Sequence, residues 1–122
     1  MKLTLRKFAA RDIAELFRWF ETERDVLQWA GANMSWPLKR SEMKALSVKD
    51  GGDAPGREVW AVCDDETMVG HFQLGRNRRL RTAGLGRMAI DPALRGQGLG
   101  STLMKHILAK AFSHAWVHRV DL

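Results

Sequence analysis

Apolar and polar positions alternate at the start of the chain, where Leu3 and Leu5 are interleaved with Lys2, Thr4 and Arg6, so residues 2–8 are expected to form a half-buried strand. The period then lengthens. Ile13, Leu16, Phe17 and Phe20 fall on one stripe of a helix over residues 10–20, with Arg11, Asp12, Glu15 and Arg18 turned to water. A short helix over residues 24–29 comes next, then an irregular stretch over residues 31–37. A second helix over residues 40–48 has Ser41 as its candidate cap. Residues 51–56 read as a loop. Val59, Ala61 and Cys63 alternate with Trp60 and Val62 in a strand, Asp64, Asp65 and Glu66 make a hairpin turn, and residues 68–74 form the partner strand.

The second half holds the most organised stretch. Residues 83–90 form a strand containing Leu85, Met88, Ala89 and Ile90, followed by a turn at Asp91 and Pro92 and the run Arg95, Gly96, Gln97, Gly98, Leu99, Gly100. Leu99, Leu103, Met104, Ile107, Leu108, Ala111 and Phe112 then recur at helical spacing. Trp116, His118, Val120 and Leu122 alternate in an expected fifth strand of the sheet. Strands interleaved with helices predict an α/β (α+β) fold with a mixed, mostly antiparallel central sheet flanked by helices.

A glycine-rich turn between a strand and a helix suits a phosphate. Glycines let backbone N–H groups approach an anion, and the first N–H groups of the helix lack partners within it. The letters exclude two common phosphate motifs. Gly100 is followed by Ser101 and not by the lysine of a P-loop, and the dinucleotide fingerprint needs a third glycine where Ser101 stands.

Composition narrows the picture. The 122 residues suffice for one domain. No apolar run approaches the roughly 20 residues of a membrane span, and the first residues alternate, unlike a signal peptide, so a cytoplasmic location is expected. Cys63 is the only cysteine, which rules out an internal disulfide and reads as a buried small hydrophobe. The formal net charge of +6 suits an anionic cofactor or an acidic partner. Nucleic acid is not the expected partner, because the helix-turn-helix, zinc-finger and RNA-recognition signatures are missing. Arg76, Asn77, Arg78, Arg79 and Arg81 read as a solvated hairpin tip. At about 3.4 Å per residue this tip lies roughly 25 Å from the glycine loop. His114 and His118 lack further ligands for a metal, and no nucleophile elbow supports serine hydrolysis.

The segment MAIDPALRGQGLGSTLM, with Arg95 and Gln97 ahead of Gly98 and Gly100, resembles the acetyl-CoA-binding segment of the GNAT family of N-acetyltransferases, and the order of elements resembles that family over the whole chain. The likeness is greatest to the branch of ribosomal-protein N-terminal acetyltransferases. It implies that backbone groups of Met88, Ala89 and Ile90 hold the pantetheine arm beside a bulged, splayed strand. Arg95, the N–H groups of Gly96, Gln97, Gly98, Leu99, Gly100 and Ser101, and the hydroxyl of Thr102 would then surround the pyrophosphate. Acetyl-CoA would be the co-substrate, with no metal, and a small-molecule or peptide amine the acceptor. Trp29, Met34 and Trp36 either face that acceptor or pack against the sheet. The glutamate that many members carry before the loop is missing from residues 83–90, which leaves the catalytic residues unknown. His71 is the titratable side chain to test first as a base, against a structural role. The family's usual last helix and strands, with their asparagine and tyrosine, have no counterpart in a sequence without tyrosine. A C-terminally truncated sheet with a bare edge predicts a homodimer. The alternative to an enzyme is an incomplete cofactor-binding fragment or a basic interaction module.

Overall fold

The computed structural model describes residues 2–47 and 57–122. The expected loop over residues 51–56 and the expected helix end at Val48 lie outside the described residues. Strand β1 (Leu3–Lys7) leads through a 3-10 turn (Ala10–Asp12) to helices α1 (Ile13–Arg18), α2 (Glu23–Ala30) and α3 (Arg40–Ser47). Strands β2 (Arg57–Asp64), β3 (Thr67–Asn77) and β4 (Thr82–Ile90) follow, then helix α4 (Leu99–Ala111) and strand β5 (Arg119–Asp121). The five strands form one sheet in sequence order. The β1 to β4 pairs are antiparallel, and β5 runs parallel to β4.

Both faces of this sheet are covered, which explains why β2 is apolar on both sides from Val59 to Cys63. Val59, Ala61 and Cys63 pack with Ile13, Leu16, Trp29 and Met43 on the α1–α3 side. Val62, Phe72, Leu74 and Leu85 pack with Leu103, Ile107 and Ala111 of α4 on the other. Gly70 makes the second contact possible: a Cβ there would sit 3.3 Å from Val62 Cβ and 3.5 Å from both the Ala89 carbonyl oxygen and Leu103 Cδ2. Buried Cys63 behaves as the small hydrophobe expected of it.

Several local expectations are corrected. The predicted first helix is split into the 3-10 turn and α1, because the buried carboxylate of Asp12 accepts the Ala9 N–H (2.8 Å) and a fork from Arg6 (both 2.7 Å), fixing a cap in mid-stripe. Thr22 caps α2 by accepting the Asp25 N–H, and the Asp25 carboxylate in turn accepts the Thr22 N–H. Ser41 is not a cap, since the Lys39 carbonyl already accepts from Glu42 and Met43 and places Ser41 inside α3.

Arg76 does not belong to a solvated tip. It lies in β3, with its side chain 7% exposed, paired with Glu58 at 2.6 Å and donating to the Lys110 carbonyl at 2.8 Å, so it ties β2 and β3 to the end of α4. Arg78, Arg79 and Arg81 are exposed, as expected. The fifth strand has three residues and does not include Trp116 or His118. The Val117 N–H donates back to the His114 carbonyl, and the Trp116 carbonyl accepts from the Arg81 side chain, which commits that backbone to a turn.

Candidate functional site

The site begins with a phase slip in β4. Ala83 and Leu85 face α4, and so do Met88 and Ile90, one position out of step. The extra residue is accommodated at a bulge: His71 is opposite Ala89 and Gln73 opposite Gly86, with Arg87 at φ +47°. The Trp29 indole N–H donates to the Arg87 carbonyl at 2.9 Å, so α2 holds the bulge from one side. On its other edge β4 pairs with β5 through Thr82, Ala83 and Gly84 alone. Among the described residues, no strand lies beside residues 86–90 on that edge, leaving about 14 Å of open strand at 3.4 Å per residue.

This open edge runs into the glycine loop. The Asp91 N–H donates to the Val69 carbonyl, and the Asp91 side chain accepts the Ala93 N–H at 2.9 Å. Gly96 and Gly98 have φ of +80° and +76°, the left-handed conformation that glycine adopts without steric cost. Gly98 is the N-cap of α4, whose first turn carries no acidic residue. Gly100 has ordinary helical φ, so its backbone does not require glycine. Buried Leu99 seats the helix start on the sheet, while Gly100, Ser101 and Thr102 are exposed. A cavity of about 230 Å³ lies against Leu94, Gln97, Gly98, Leu99 and Thr102. Unpaired N–H groups at a helix start without acidic neighbours attract an anion.

Arg95, exposed at the start of this loop, shares a second cavity of about 200 Å³ with Asp25, Trp29, Met88 and Ala89. Asp25 lies below the usual carboxylate range because the Glu21 and Thr22 N–H groups donate to it. A third cavity of about 440 Å³ opens at the bulge, lined by Trp29, Arg57, Gln73 and Arg87 and by backbone of Gly84 and Gly86. Sequence reasoning missed Arg57, Gln73 and Arg87. An arginine set between Leu85 and Met88 in an otherwise apolar strand was the available signal.

The structure thus brings Met88, Ala89, Ile90, Arg95 and the Gly96–Thr102 stretch into one continuous track. It separates the aromatic candidates: Trp29 is buried and lines two cavities, Met34 is half-buried against the α1–α3 core, and Trp36 is 40% exposed.

His71 does not suit the role of a base. It is fully buried, against the rings of Phe8 (4.9 Å) and Trp29 (5.7 Å). The Gln73 amide lies 3.4 Å from Nε2, and Nδ1 has no hydrogen-bond partner. Burial first, and then the charge of Arg87, push its pKa down to about 3. Since the folded pKa is lower than the ordinary 6.5, the unfolded chain binds the proton first. Stability should therefore fall as pH drops below about 6.5. In an NMR titration the His71 ring signals should stay those of the neutral form from pH 8 to pH 5; a midpoint near 6.5 would contradict this.

No group of three His, Cys, Asp or Glu among the described residues is placed to hold a metal ion. No helix among them is long and apolar enough to cross a membrane.

Comparison with known proteins agrees with this architecture. The chain is similar in structure to spermidine N-acetyltransferase from Vibrio cholerae in complex with CoA and spermine (TM-score 0.74, 22% identity, 97% of this chain and 68% of that one). It is likewise similar to an aminoglycoside acetyltransferase in complex with coenzyme A (TM-score 0.70, 16% identity, 98% of this chain and 72% of that one). At such identities the likeness is one of fold. The family model described as the acetyltransferase (GNAT) family matches residues 13–122, and the chain belongs to that family.

Proposed function

We propose that the chain transfers an acetyl group from acetyl-CoA to a primary amine. The observation that carries this reading is the open edge of β4, which joins the glycine loop at one end to the cavity at the bulge at the other. A pyrophosphate at the N–H groups of Gly96–Ser101 and the Thr102 hydroxyl directs the pantetheine along Met88, Ala89 and Ile90, whose backbone groups bond it as a strand would. The thioester then reaches the bulge. A neutral amine entering from the larger cavity attacks the thioester carbonyl carbon, the C–S bond breaks, and the thiolate leaves and takes up a proton. A backbone N–H on the open edge stabilises the oxyanion. Holding amine and thioester in line supplies most of the acceleration. No side chain is assigned as base, since buried His71 does not serve and no carboxylate stands on β4.

The acceptor class follows the family: a small-molecule amine, as in the names of the spermidine and aminoglycoside enzymes, or a protein N-terminus, as in the ribosomal-protein branch that the sequence resembles. A cytoplasmic location belongs to the same proposal and rests on acetyl-CoA as donor. So does a homodimer, supported by Leu108 and Phe112 standing exposed on and just after α4, and tested by light scattering. Thiol release from acetyl-CoA across a panel of amines, with the acetylated product identified by mass spectrometry, tests the activity. Amine-dependent release is expected; CoA binding without release for any amine would favour the non-enzymatic reading.

Arg95 has a separate expected role. A charge-assisted hydrogen bond to phosphate contributes about 1.5–3 kcal/mol. Arg95→Ala should weaken CoA about tenfold or more in calorimetry and leave dephosphorylated pantetheine unchanged. Equal weakening of both would make Arg95 structural.

A further inference from the structure

We infer that Trp29 is a positioning residue for acetyl transfer: by holding the Arg87 carbonyl, its indole aims the Met88 N–H of the same peptide at the thioester oxygen. The inference rests on the N-acetyltransferase reading and deepens it by naming the oxyanion donor on the open edge and the side chain that orients it.

The direction of the backbone groups at this end of β4 follows from one hydrogen bond. The Asp91 N–H points at β3, where it donates to the Val69 carbonyl at 3.0 Å. Successive N–H groups of an extended strand face opposite edges, so the Ala89 N–H also faces β3, opposite His71, while those of Met88 and Ile90 face the open edge. Met88 is the one next to the bulge, where the thioester arrives. Its N–H shares a planar trans peptide with the Arg87 carbonyl and points opposite to it. Whatever fixes that carbonyl therefore fixes the N–H.

Trp29 fixes it. The indole N–H bond to the Arg87 carbonyl, 2.9 Å long, spans 58 residues of sequence and ties α2 to the bulge. Trp29 is 7% exposed, with the Phe20 ring 4.7 Å and the His71 ring 5.7 Å from its own, and Val26 and Ala30, buried on the same helix, seat it. The conformation it holds is one the chain does not favour unaided. Arg87 has φ of +47°, in the left-handed region that long side chains seldom adopt and that persists where the surroundings over-determine it.

The same ring lines both the cavity beside Arg95 and the larger cavity at the bulge, so the bond stands between the cofactor track and the acceptor space. Without it, the Arg87–Met88 peptide would be free to turn and take the donor off the thioester oxygen, while the glycine loop, Ala89 and Ile90 would still hold the cofactor. The indole thus acts on the rate of the chemical step and not on cofactor affinity. Loss of a single oxyanion donor costs about a hundredfold or more in rate, and a donor misdirected but still present costs less, so a loss of at least about tenfold is expected.

The test uses Trp29→Phe and Trp29→benzothienylalanine, the second keeping the shape of the indole with sulfur in place of its N–H, so that lost packing and a lost donor are told apart. Infrared spectra are taken of bound acetyl-CoA carrying a heavy carbon isotope at the thioester carbonyl, because a hydrogen bond to that oxygen lowers its stretching frequency without any turnover. The band should lie below that of free acetyl-CoA in the wild type and return towards it in both variants. In parallel, kcat for thiol release should fall at least about tenfold in both, with CoA affinity and the KM for acetyl-CoA within about threefold of wild type. A wild-type band at the free position, a band unmoved by the variants, an unchanged kcat, or affinity falling as far as kcat in the isostere would overturn the inference. A band that shifts as expected in a protein that releases thiol with none of the amines would uphold the aiming of the Met88 N–H by Trp29 and count against the catalytic reading alone. No binding of acetyl-CoA by the wild type would overturn both.

Discussion

Gly98→Val is expected to lower CoA affinity by at least tenfold while leaving the protein folded. The reason is conformational. A Cβ at Gly98 meets nothing within 4 Å, so the substitution creates no clash, but φ of +76° is a conformation that an L-residue adopts at a cost of roughly 1–2 kcal/mol, and a β-branched residue at more. Relaxing to negative φ would swing the N–H groups at the start of α4 away from the loop and dismantle the anion site. The Cβ that the valine adds would also stand in the open space where the phosphates are expected. Gly100→Ala is the control: position 100 lies inside the helix, its Cβ would come only to 4.0 Å from Ile90 Cδ1, and the loop conformation should be retained. Calorimetry with CoA on both variants checks this. Wild-type affinity in Gly98→Val would sink the assignment of the loop.

Asp12→Ala should be strongly destabilising although it lies away from the site. Asp12 is 5% exposed and accepts two bonds from Arg6 and one from the Ala9 N–H, and it lies at the junction of β1, the 3-10 turn and α1. Removing it takes two acceptors from the Arg6 guanidinium, which keeps its bond to the Lys7 carbonyl, and leaves the Ala9 N–H without its acceptor. Loss of one partner of a fully buried pair costs about 3–5 kcal/mol, and because the Arg6 side chain keeps 29% exposure we expect about 2–3 kcal/mol, or roughly 10 °C in melting temperature. Burial opposes ionisation of Asp12, but the Arg6 and Ala9 hydrogen bonds and the Arg6 charge outweigh it and lower its pKa. A depressed folded pKa stabilises the folded chain above the ordinary value near 3.8, and the stabilisation is lost as pH falls through the lower folded value. The difference between wild type and Asp12→Ala in urea unfolding should be full at pH 7 and shrink in strong acid. A change under about 0.5 kcal/mol at pH 7, as for ordinary surface substitutions, would contradict the role.

The order of elements was legible because each strand and helix of the sheet carries its period in plain letters: Val59, Ala61 and Cys63 against Trp60 and Val62, and the stripe from Leu99 to Ala111. The glycine loop was legible for the same kind of reason, since Gly96 and Gly98 are the positions that require positive φ. What escaped was set by long-range pairing. Arg76 reads as part of a basic tip until Glu58 and the end of α4 are placed beside it, and Trp116 reads as strand until its carbonyl is seen to accept from Arg81. The bulge was half visible, in the three-residue step from Leu85 to Met88. Its consequence, a cavity shared by Arg57, Gln73 and Arg87, depends on which strands lie side by side. His71 could be named from sequence as the titratable residue next to the site. Its burial against Phe8 and Trp29 could not, because those two are distant from it in sequence.

In the proposed complex CoA lies along the open edge of β4 with its phosphates on the glycine loop. Amide hydrogen exchange with and without CoA tests it most directly, since each amide reports its own protection. Slowed exchange is expected at Met88, Ala89 and Ile90 and across Gly96–Ser101, with Thr82, Ala83 and Gly84, already paired with β5, unchanged. Protection confined to other parts of the chain, or none at saturating CoA, would contradict it.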